Sequence, residues 1–211
     1  MRVYEIFKSI QGETSYAGTP FIFIRTTGCN LRCRWCDTTY AYDEGEDYSI
    51  DEIVRILGKY DCRNVVITGG EPLLQEDTPL LAEYLVKNGY NVFVETNGSI
   101  NVSGLHPDVI KILDIKCPGS GMTENIEWDN LKVLSSRDEV KFIVADYNDY
   151  VWAKSVIESY HLTDVCSVLI APVFSSLEPK QLAEWIINDS LNVRLQLQLH
   201  KYIWGPDARG V

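Results

Sequence analysis

Three cysteines crowd into one short segment, which reads Cys-Asn-Leu-Arg-Cys-Arg-Trp-Cys and contains Cys29, Cys33 and Cys36. Thiols at this density are typical metal ligands. A structural zinc ion or an ordinary electron-transfer [4Fe–4S] cluster is closed by four protein ligands, whereas three thiolates leave one metal position open for another molecule. The segment therefore predicts a metal centre with an open site.

Zinc is the alternative, because short-spaced cysteines inside cells often bind zinc. A zinc site would need a fourth ligand close by. The first histidine after the segment is His106, and Cys62, the next thiol, does not belong to a second Cys-x-x-Cys pair. The spacing favours a cluster, but a non-catalytic zinc or electron-transfer module stays open as a function of a different class.

Two further motifs follow predicted buried strands. Thr-Gly-Gly-Glu-Pro begins at Thr68, and Glu-Thr-Asn-Gly begins at Glu95. Paired glycines let a backbone approach a ligand closely, and we expect the carboxylate of Glu71 to hold an amine while nearby amide groups meet a carboxylate. Either motif alone also describes an ordinary tight turn. Together with the cysteines they predict a ligand site at the ends of neighbouring strands.

This combination resembles the radical S-adenosylmethionine (SAM) enzymes, with Trp35 in the aromatic position before the last cysteine. The resemblance implies a [4Fe–4S] cluster on Cys29, Cys33 and Cys36. It also implies reductive cleavage of SAM to a 5′-deoxyadenosyl radical, which removes a hydrogen atom from the substrate. The residues expected to contact SAM are Trp35, Cys36, Asp37, Gly70, Glu71, Glu95, Asn97, Asp114, Ile115, Lys116, Ala171, Pro172, Val173 and Phe174. Without the resemblance, Asp114 and Lys116 would be read as a surface ion pair.

Other motifs resemble one branch of the radical SAM enzymes, the 7-carboxy-7-deazaguanine synthases, and this resemblance runs from about Tyr4 to Val211. They are Ile-Gln-Gly-Glu from Ile10, Cys-Asp-Thr from Cys36, and Gln-Leu-His-Lys from Gln198. The resemblance implies conversion of 6-carboxy-5,6,7,8-tetrahydropterin to 7-carboxy-7-deazaguanine with loss of ammonia, an early step toward queuosine. It also implies Mg²⁺ and a homodimer, with flavodoxin or ferredoxin as the electron donor. A glycyl-radical-enzyme activase, acting on a protein partner, is the alternative within the radical SAM enzymes.

The chemistry of these residues suits a pterin. Its edge presents adjacent donors and acceptors, which polar groups near Gln11 and Glu13 match, and Arg25 suits a substrate carboxylate. The expected substrate-binding residues are Ile10, Gln11, Gly12, Glu13, Arg25, Thr68, Gln198, His200 and Val211. The resemblance makes Val211 a contact through its terminal carboxylate, whereas a disordered tail is the common case for chain ends.

Two roles have plain structural alternatives. Thr38 offers Mg²⁺ a neutral oxygen ligand, but its hydroxyl would also satisfy the backbone of the cysteine loop. Gln198 and His200 are expected to face the site from the last strand, although a structural histidine beside a buried amide fits the same pattern. The sequence leaves both alternatives open.

Composition narrows the class of protein. The chain has 211 residues, 45% of them hydrophobic, which suits one domain over residues 1–211. A net charge of −11 disfavours direct action on nucleic acid. No apolar run is long enough to span a bilayer, so we expect a soluble, cytoplasmic protein with no membrane contact. Cys62, Cys117 and Cys166 are expected to be buried free thiols.

Predicted strands alternate with predicted helices along the chain. This alternation indicates an α/β fold, and seven or so strands without a second glycine-rich fingerprint indicate an incomplete (β/α) barrel with parallel strands and outer helices. We place strands at residues 2–8, 20–27, 64–67, 91–95, 110–115, 140–144, 167–170 and 193–199. We place helices from residue 50, at 78–88, 149–160 and 177–188, with a weaker one at 128–134. The site is expected at the carboxyl ends of the strands.

Overall fold

The computed structural model describes residues 1–211 and arranges nine strands in one sheet. The strands are β1 (Arg2–Ile10), β2 (Pro20–Thr26), β3 (Glu46–Asp47), β4 (Asn64–Gly69), β5 (Asn91–Thr96), β6 (Ile110–Lys116), β7 (Glu139–Val144), β8 (Ser167–Pro172) and β9 (Arg194–Leu195). The helices are α1 (Ile50–Leu57), α2 (Thr78–Lys87), α3 (Tyr147–Ser159), α4 (Leu162–Val165), α5 (Pro179–Asn188) and α6 (Leu199–Trp204). None of these helices has the length and apolar character needed to cross a bilayer.

The strand order is β3-β1-β2-β4-β5-β6-β7-β8-β9, and β3 does not pair with β9. From β2 onward all neighbouring pairs are parallel, whereas β1 runs antiparallel to both β2 and β3. The antiparallel start follows from the short connection at 11–19, which contains no crossover helix. The open, mostly parallel sheet with outer helices confirms the predicted incomplete barrel.

Each central strand has two faces, because successive side chains point to opposite sides. On β4, Val65 and Ile67 belong to the large core shared with the helices, whereas Val66 points into the barrel. The small inner core contains Phe21, Val66, Phe93 and Ile112. Tyr16 packs edge-on against Phe93, with ring centroids 4.7 Å apart. The inner face is thus apolar at one end and free to carry polar groups toward the carboxyl ends.

Helix starts follow local capping chemistry. The Ser49 hydroxyl accepts a hydrogen bond from the Glu52 backbone N–H, and the Glu52 carboxylate accepts one from Ser49 N–H, so the predicted capping box is present. Helix α3 begins at Tyr147, two residues before the predicted start, because Asp146 caps it through Asp149 N–H. The weaker helix that the sequence predicts at residues 128–134 is a 3₁₀ helix, Trp128–Val133.

The prediction of a last strand over residues 193–199 is wrong. Only Arg194–Leu195 pairs with β8, and helix α6 begins at Leu199. The alternation of leucines there imitates a strand, but the backbone finds other partners. Leu199 N–H donates to the Gly12 carbonyl, 2.8 Å away, which ties this segment to the loop after β1. Gln198 and His200 therefore reach the site from the start of a helix.

Candidate active site

A cavity of about 480 Å³ opens at the carboxyl ends of the parallel strands. Its walls come from strand ends β4 to β7, the cysteine segment, the loop after β1, helix α6 and residues 206–211. On the inner face of the sheet, each of three strands carries an apolar side chain followed two residues later by a polar one. The pairs are Val66 and Thr68 on β4, Phe93 and Glu95 on β5, and Ile112 and Asp114 on β6. Period-two alternation thus delivers polar groups to one place, as predicted.

The three thiols of the cysteine segment all line this cavity and all are free. The Cys29 sulfur accepts hydrogen bonds from Leu31 N–H at 3.4 Å and the Asn97 amide at 3.8 Å. Burial raises the pKa of both Cys29 and Cys33. A bound metal would reverse this effect, because coordination stabilises the thiolate. The segment fits a ligand that supplies positive charge.

The donor set suits a cluster better than a single ion. No group of three or more His, Cys, Asp or Glu side chains converges in the arrangement that one metal ion needs. A structural zinc site requires four protein ligands around one point. In a [4Fe–4S] cluster each cysteine binds a different iron, so the three sulfurs line one cavity without converging on one point. Cys29, Cys33 and Cys36 show this arrangement.

The Glu71 carboxylate, predicted to hold an amine, lies outside the cavity and is bound by donors of the protein itself. It is fully buried, and its carboxylate accepts hydrogen bonds from Leu73 N–H (3.0 Å), the Thr96 hydroxyl (2.7 Å) and Asn97 N–H (2.7 Å). It therefore joins two strand-end turns to each other. Gly70 lines the cavity instead, and a side chain at that position would collide with the Gly28 carbonyl oxygen.

Most of the residues expected to contact SAM line the cavity. They are Trp35, Cys36, Asp37, Gly70, Glu95, Asn97, Asp114, Lys116, Val173 and Phe174. Besides Glu71, the side chains of Ile115, Ala171 and Pro172 lie outside it. Ile115 alternates with Asp114 and Lys116 and so faces the core shared with the helices. Asp114 and Lys116 form an ion pair at 3.0 Å, but it is largely buried and not on the surface.

All nine residues expected to bind substrate line the same cavity: Ile10, Gln11, Gly12, Glu13, Arg25, Thr68, Gln198, His200 and Val211. The Gln11 side-chain oxygen accepts from Glu13 N–H at 3.1 Å, while its buried amide nitrogen has no partner. The Nε–H group of Arg25 donates to the Glu5 carboxylate at 2.7 Å. The Arg25 guanidinium lies 5.7 Å from the centre of the Phe7 ring and 5.8 Å from that of Tyr40. Its two terminal nitrogens stay free for an acid group.

Helix α6 closes one side of the cavity. The Gln198 amide donates to Glu13 at 2.8 Å and to Asp37 at 3.3 Å. The His200 ring packs against Gly12 so closely that any side chain there would collide with it. Burial lowers the pKa of His200, which favours the neutral ring. Burial alone would raise the pKa of Asp37, but the Lys201 ammonium, 2.9 Å away, holds that pKa far below its usual range.

The most important residue that the sequence reasoning missed is Lys141. It lies on β7, faces the barrel interior and contacts Glu13, Glu95 and Asp114. A signal was present, because a lysine inside the apolar run 140–144 is unusual for a buried parallel strand. Further lining residues that were not predicted include Phe7, Leu31, Tyr40, Tyr42, Ile143 and Lys201.

Comparisons with known proteins extend this picture. The model of the radical SAM superfamily matches residues 23–114. The 7-carboxy-7-deazaguanine synthase of Chlorobaculum tepidum is 47% identical over 100% of this chain and 97% of its own length. The enzyme of the same name from Koribacter versatilis is 42% identical, and the alignment covers 100% of this chain and 100% of that enzyme. The crystal structure of QueE from Escherichia coli superposes with a TM-score of 0.77, at 26% identity over 94% of each chain.

Proposed function

Because the chain belongs to the 7-carboxy-7-deazaguanine synthase family of radical SAM enzymes, we propose that it converts 6-carboxy-5,6,7,8-tetrahydropterin to 7-carboxy-7-deazaguanine with loss of ammonia. The observation that carries the proposal is that all nine expected substrate residues line the cavity that also holds the three cysteines. Full-length likeness to synthases supports this reading over an activase or a zinc module. We further propose that residues 1–211 form one catalytic domain.

The chain's own part in this reaction is to bind, orient and shield. When bound, the cluster and SAM supply the 5′-deoxyadenosyl radical that removes a hydrogen atom from the substrate. Arg25 is suited to the substrate carboxylate, since its two free nitrogens match a carboxylate in bidentate geometry. The unpartnered Gln11 amide supplies a donor and the Glu13 carboxylate supplies an acceptor for the pterin edge. These contacts fix which hydrogen faces the cofactor.

We propose that Mg²⁺ binds beside Thr38. This residue lines the cavity two positions after Cys36, and its hydroxyl donates to Asp37 at 3.0 Å. A hydroxyl that donates to a carboxylate keeps its oxygen lone pairs for a cation. Mg²⁺ usually keeps several waters and takes few protein ligands, so one neutral oxygen plus groups of the substrate would suffice.

An acidic flavodoxin or ferredoxin is the proposed electron donor. Arg32 and Arg34 flank Cys33 and are both exposed. Their guanidinium groups donate to backbone carbonyls, Arg32 to Cys29 at 2.7 Å and Arg34 to Gly119 at 3.3 Å, and neither forms an ion pair. In a chain of net charge −11, this places positive charge beside the proposed cluster. Such complementarity favours an acidic partner there.

A homodimer and a cytoplasmic location are also proposals. Exposed apolar side chains on α6, among them Tyr202 and Ile203, offer a surface that a second copy would cover. All six cysteines are free thiols, which suits a reducing compartment.

The test of the proposed function is an anaerobic incubation of reconstituted, reduced protein with SAM, Mg²⁺ and 6-carboxytetrahydropterin. We expect 7-carboxy-7-deazaguanine and ammonia in equal amounts, detected by mass spectrometry and an ammonia assay. Protein without reconstituted cluster is the control and should form neither. A fully loaded enzyme that cleaves SAM but leaves the pterin unchanged would contradict the proposal.

A further inference from the structure

Lys141 is a buried cation among carboxylates. Its side chain is only 3% exposed, and its ammonium lies 2.6 Å from Glu13 Oε2, 2.5 Å from Glu95 Oε1 and 3.4 Å from Asp114 Oδ2. These partners come from three separate elements: the loop after β1, strand β5 and strand β6. A buried, unpaired ammonium would cost several kcal/mol, and the three carboxylates together outweigh that cost and hold the pKa of Lys141 well above its usual value.

Stability alone does not explain this arrangement. Replacing a buried ionic network with apolar side chains of similar size is often neutral or even stabilising. The same barrel interior is filled elsewhere by Val66, Phe93 and Ile112. An apolar residue at position 141 would continue that core. The lysine is therefore better explained by what its partners do than by packing.

The partners of Lys141 remain open to the cavity although the lysine does not. The side chains of Glu13 and Glu95 are 15% and 21% exposed. Lys141 takes one oxygen of each, while Gln198 donates to the other Glu13 oxygen and Thr68 to the other Glu95 oxygen. A carboxylate offers about four acceptor sites, so both groups keep acceptor capacity on the cavity side.

Two orphaned atoms in the same wall indicate a ligand that completes the network. Asp114 Oδ1 and Gln11 Nε2 are buried and have no hydrogen-bond partner. Buried polar atoms are nearly always paired in folded proteins. An acceptor and a donor left unpaired beside Glu13 and Glu95 match a ligand that presents both kinds of group along one edge.

We propose that Lys141 is a positioning residue, which holds Glu13 and Glu95 as fixed, ionised acceptors for the adjacent amino and ring N–H donors of an aminopyrimidinone substrate. This inference rests on the proposed function. A neutral carboxylic acid at either position would present a donor in place of an acceptor and would oppose an N–H group of the ligand.

The protonation of Glu13 supplies a signature that a structural role would not give. Burial raises the pKa of Glu13, but the charge and hydrogen bond of Lys141 outweigh burial and leave that pKa below its usual value. Without the lysine cation, only the Gln198 hydrogen bond still opposes burial, and the pKa of Glu13 rises. The charged or titratable groups facing Glu13 are Lys141 from β7, Glu95 from β5, Asp114 from β6, Asp37 from the cysteine loop and His200 from α6.

The experiment measures the Kd of 6-carboxytetrahydropterin for reconstituted protein with SAM but no reductant, so that no turnover occurs. In the wild type we expect nearly the same Kd at pH 6.5 and pH 8.5, two conditions chosen above the lowered pKa of Glu13. In Lys141→Met, Glu13 is protonated at the lower pH and binding is lost there, with recovery at the higher pH. Because loss of the lysine raises the pKa of Glu13, the ratio of the Kd at pH 6.5 to the Kd at pH 8.5 should rise by about tenfold over the wild-type ratio.

Controls separate the possible outcomes. Iron content and thermal unfolding show whether Lys141→Met is folded and loaded, and Lys141→Gln, which keeps N–H donors but has no charge, carries the same prediction if it is not. Adding Glu13→Gln should reduce the pH dependence, because Glu95 is then the only one of the two proposed acceptors that can be protonated. Tight binding by the variants at both pH values, or equally weak binding at both, would overturn the assignment. A wild type that binds no pterin would overturn the proposed function itself.

Discussion

Charged side chains in the cavity are tolerated because each has a specific partner. Asp37 is paired with Lys201, Asp114 with Lys116, and Glu13 with Lys141. The sequence pointed to the carboxylates, because Glu13 follows a strand beside Gly12, Asp37 follows the last cysteine of the segment, and Asp114 lies near the end of a strand. It did not point to Lys141, since only the fold brings β7 next to the loop after β1. Pairing across distant elements is the part of the site that spacing along the chain does not encode.

At the residue scale, the three cysteines of the segment should behave differently from the other thiols. Replacing Cys29, Cys33 or Cys36 by Ala removes one of only three protein ligands, so we expect near-complete loss of bound iron and of SAM cleavage. Cys62→Ala is the matched control, because Cys62 is also partly exposed but lies outside the cavity. Iron analysis after reconstitution makes the comparison. Loss of iron in Cys62→Ala would point to a closed four-thiolate site.

Thr38 provides a second test at this scale. If its oxygen binds Mg²⁺, Thr38→Ala should weaken the stimulation of turnover by added Mg²⁺, whereas Thr38→Ser should preserve it. Iron content and SAM binding should not change in either variant. Turnover would be measured across a Mg²⁺ titration. Equal stimulation of Thr38→Ala and wild type would remove Thr38 from the metal site.

At the element scale, strand periodicity explains most of what the sequence predicted correctly. Strands β4 to β8 have one face in the outer core and one in the barrel, and their order along the chain fixes a parallel sheet. Helix α6 escaped prediction because Leu195, Leu197 and Leu199, which lead into it, alternate as in a strand. Its position depends on long-range contacts, from Leu199 N–H to the Gly12 carbonyl and from Lys201 to Asp37, which no local pattern reveals.

The tail after α6 is the element with the most specific consequence. Residues 206–211 line the cavity, and the Arg209 guanidinium lies 4.4 Å from the centre of the Tyr40 ring. We expect deletion of residues 209–211, or added residues after Val211, to raise the KM for the pterin. A cation–π contact is worth about 0.5–2 kcal/mol, so loss of the ordered tail should weaken binding by roughly 2- to 30-fold.

Two properties should be unaffected by these changes to the tail. Bound iron and the affinity for SAM are expected to stay at wild-type levels, since the cysteine segment and the ends of β4 and β5 do not depend on residues 209–211. Steady-state kinetics with each variant decides the question. An extended protein with unchanged kcat and KM would show that the tail takes no part in substrate binding.

At the scale of the whole molecule, the open sheet gathers one cavity from elements spread over the full chain. The cavity wall includes Phe7 near the start and Val211 at the end of the sequence. The barrel class and the location at the carboxyl ends of the strands followed from the alternation of strands and helices. The closure of the cavity by α6 and the tail required the three-dimensional arrangement, because the Gln-Leu-His-Lys motif marks site residues but does not show that a helix begins at Leu199.

The central claim is that this cavity places the pterin where a radical derived from SAM removes one of its hydrogen atoms. The most direct measurement uses a 6-carboxytetrahydropterin whose carbon-bound ring hydrogens are deuterium, incubated anaerobically with reduced, reconstituted protein and SAM. Loss of ammonia alone leaves the overall oxidation level of the pterin unchanged, so a hydrogen atom must be returned to the product radical and SAM can re-form. We predict that deuterium enters the 5′ position of the recovered SAM and of any 5′-deoxyadenosine, while 7-carboxy-7-deazaguanine is formed. Unlabelled 5′-deoxyadenosine, formed at the same rate with and without the pterin and without product, would contradict the claim.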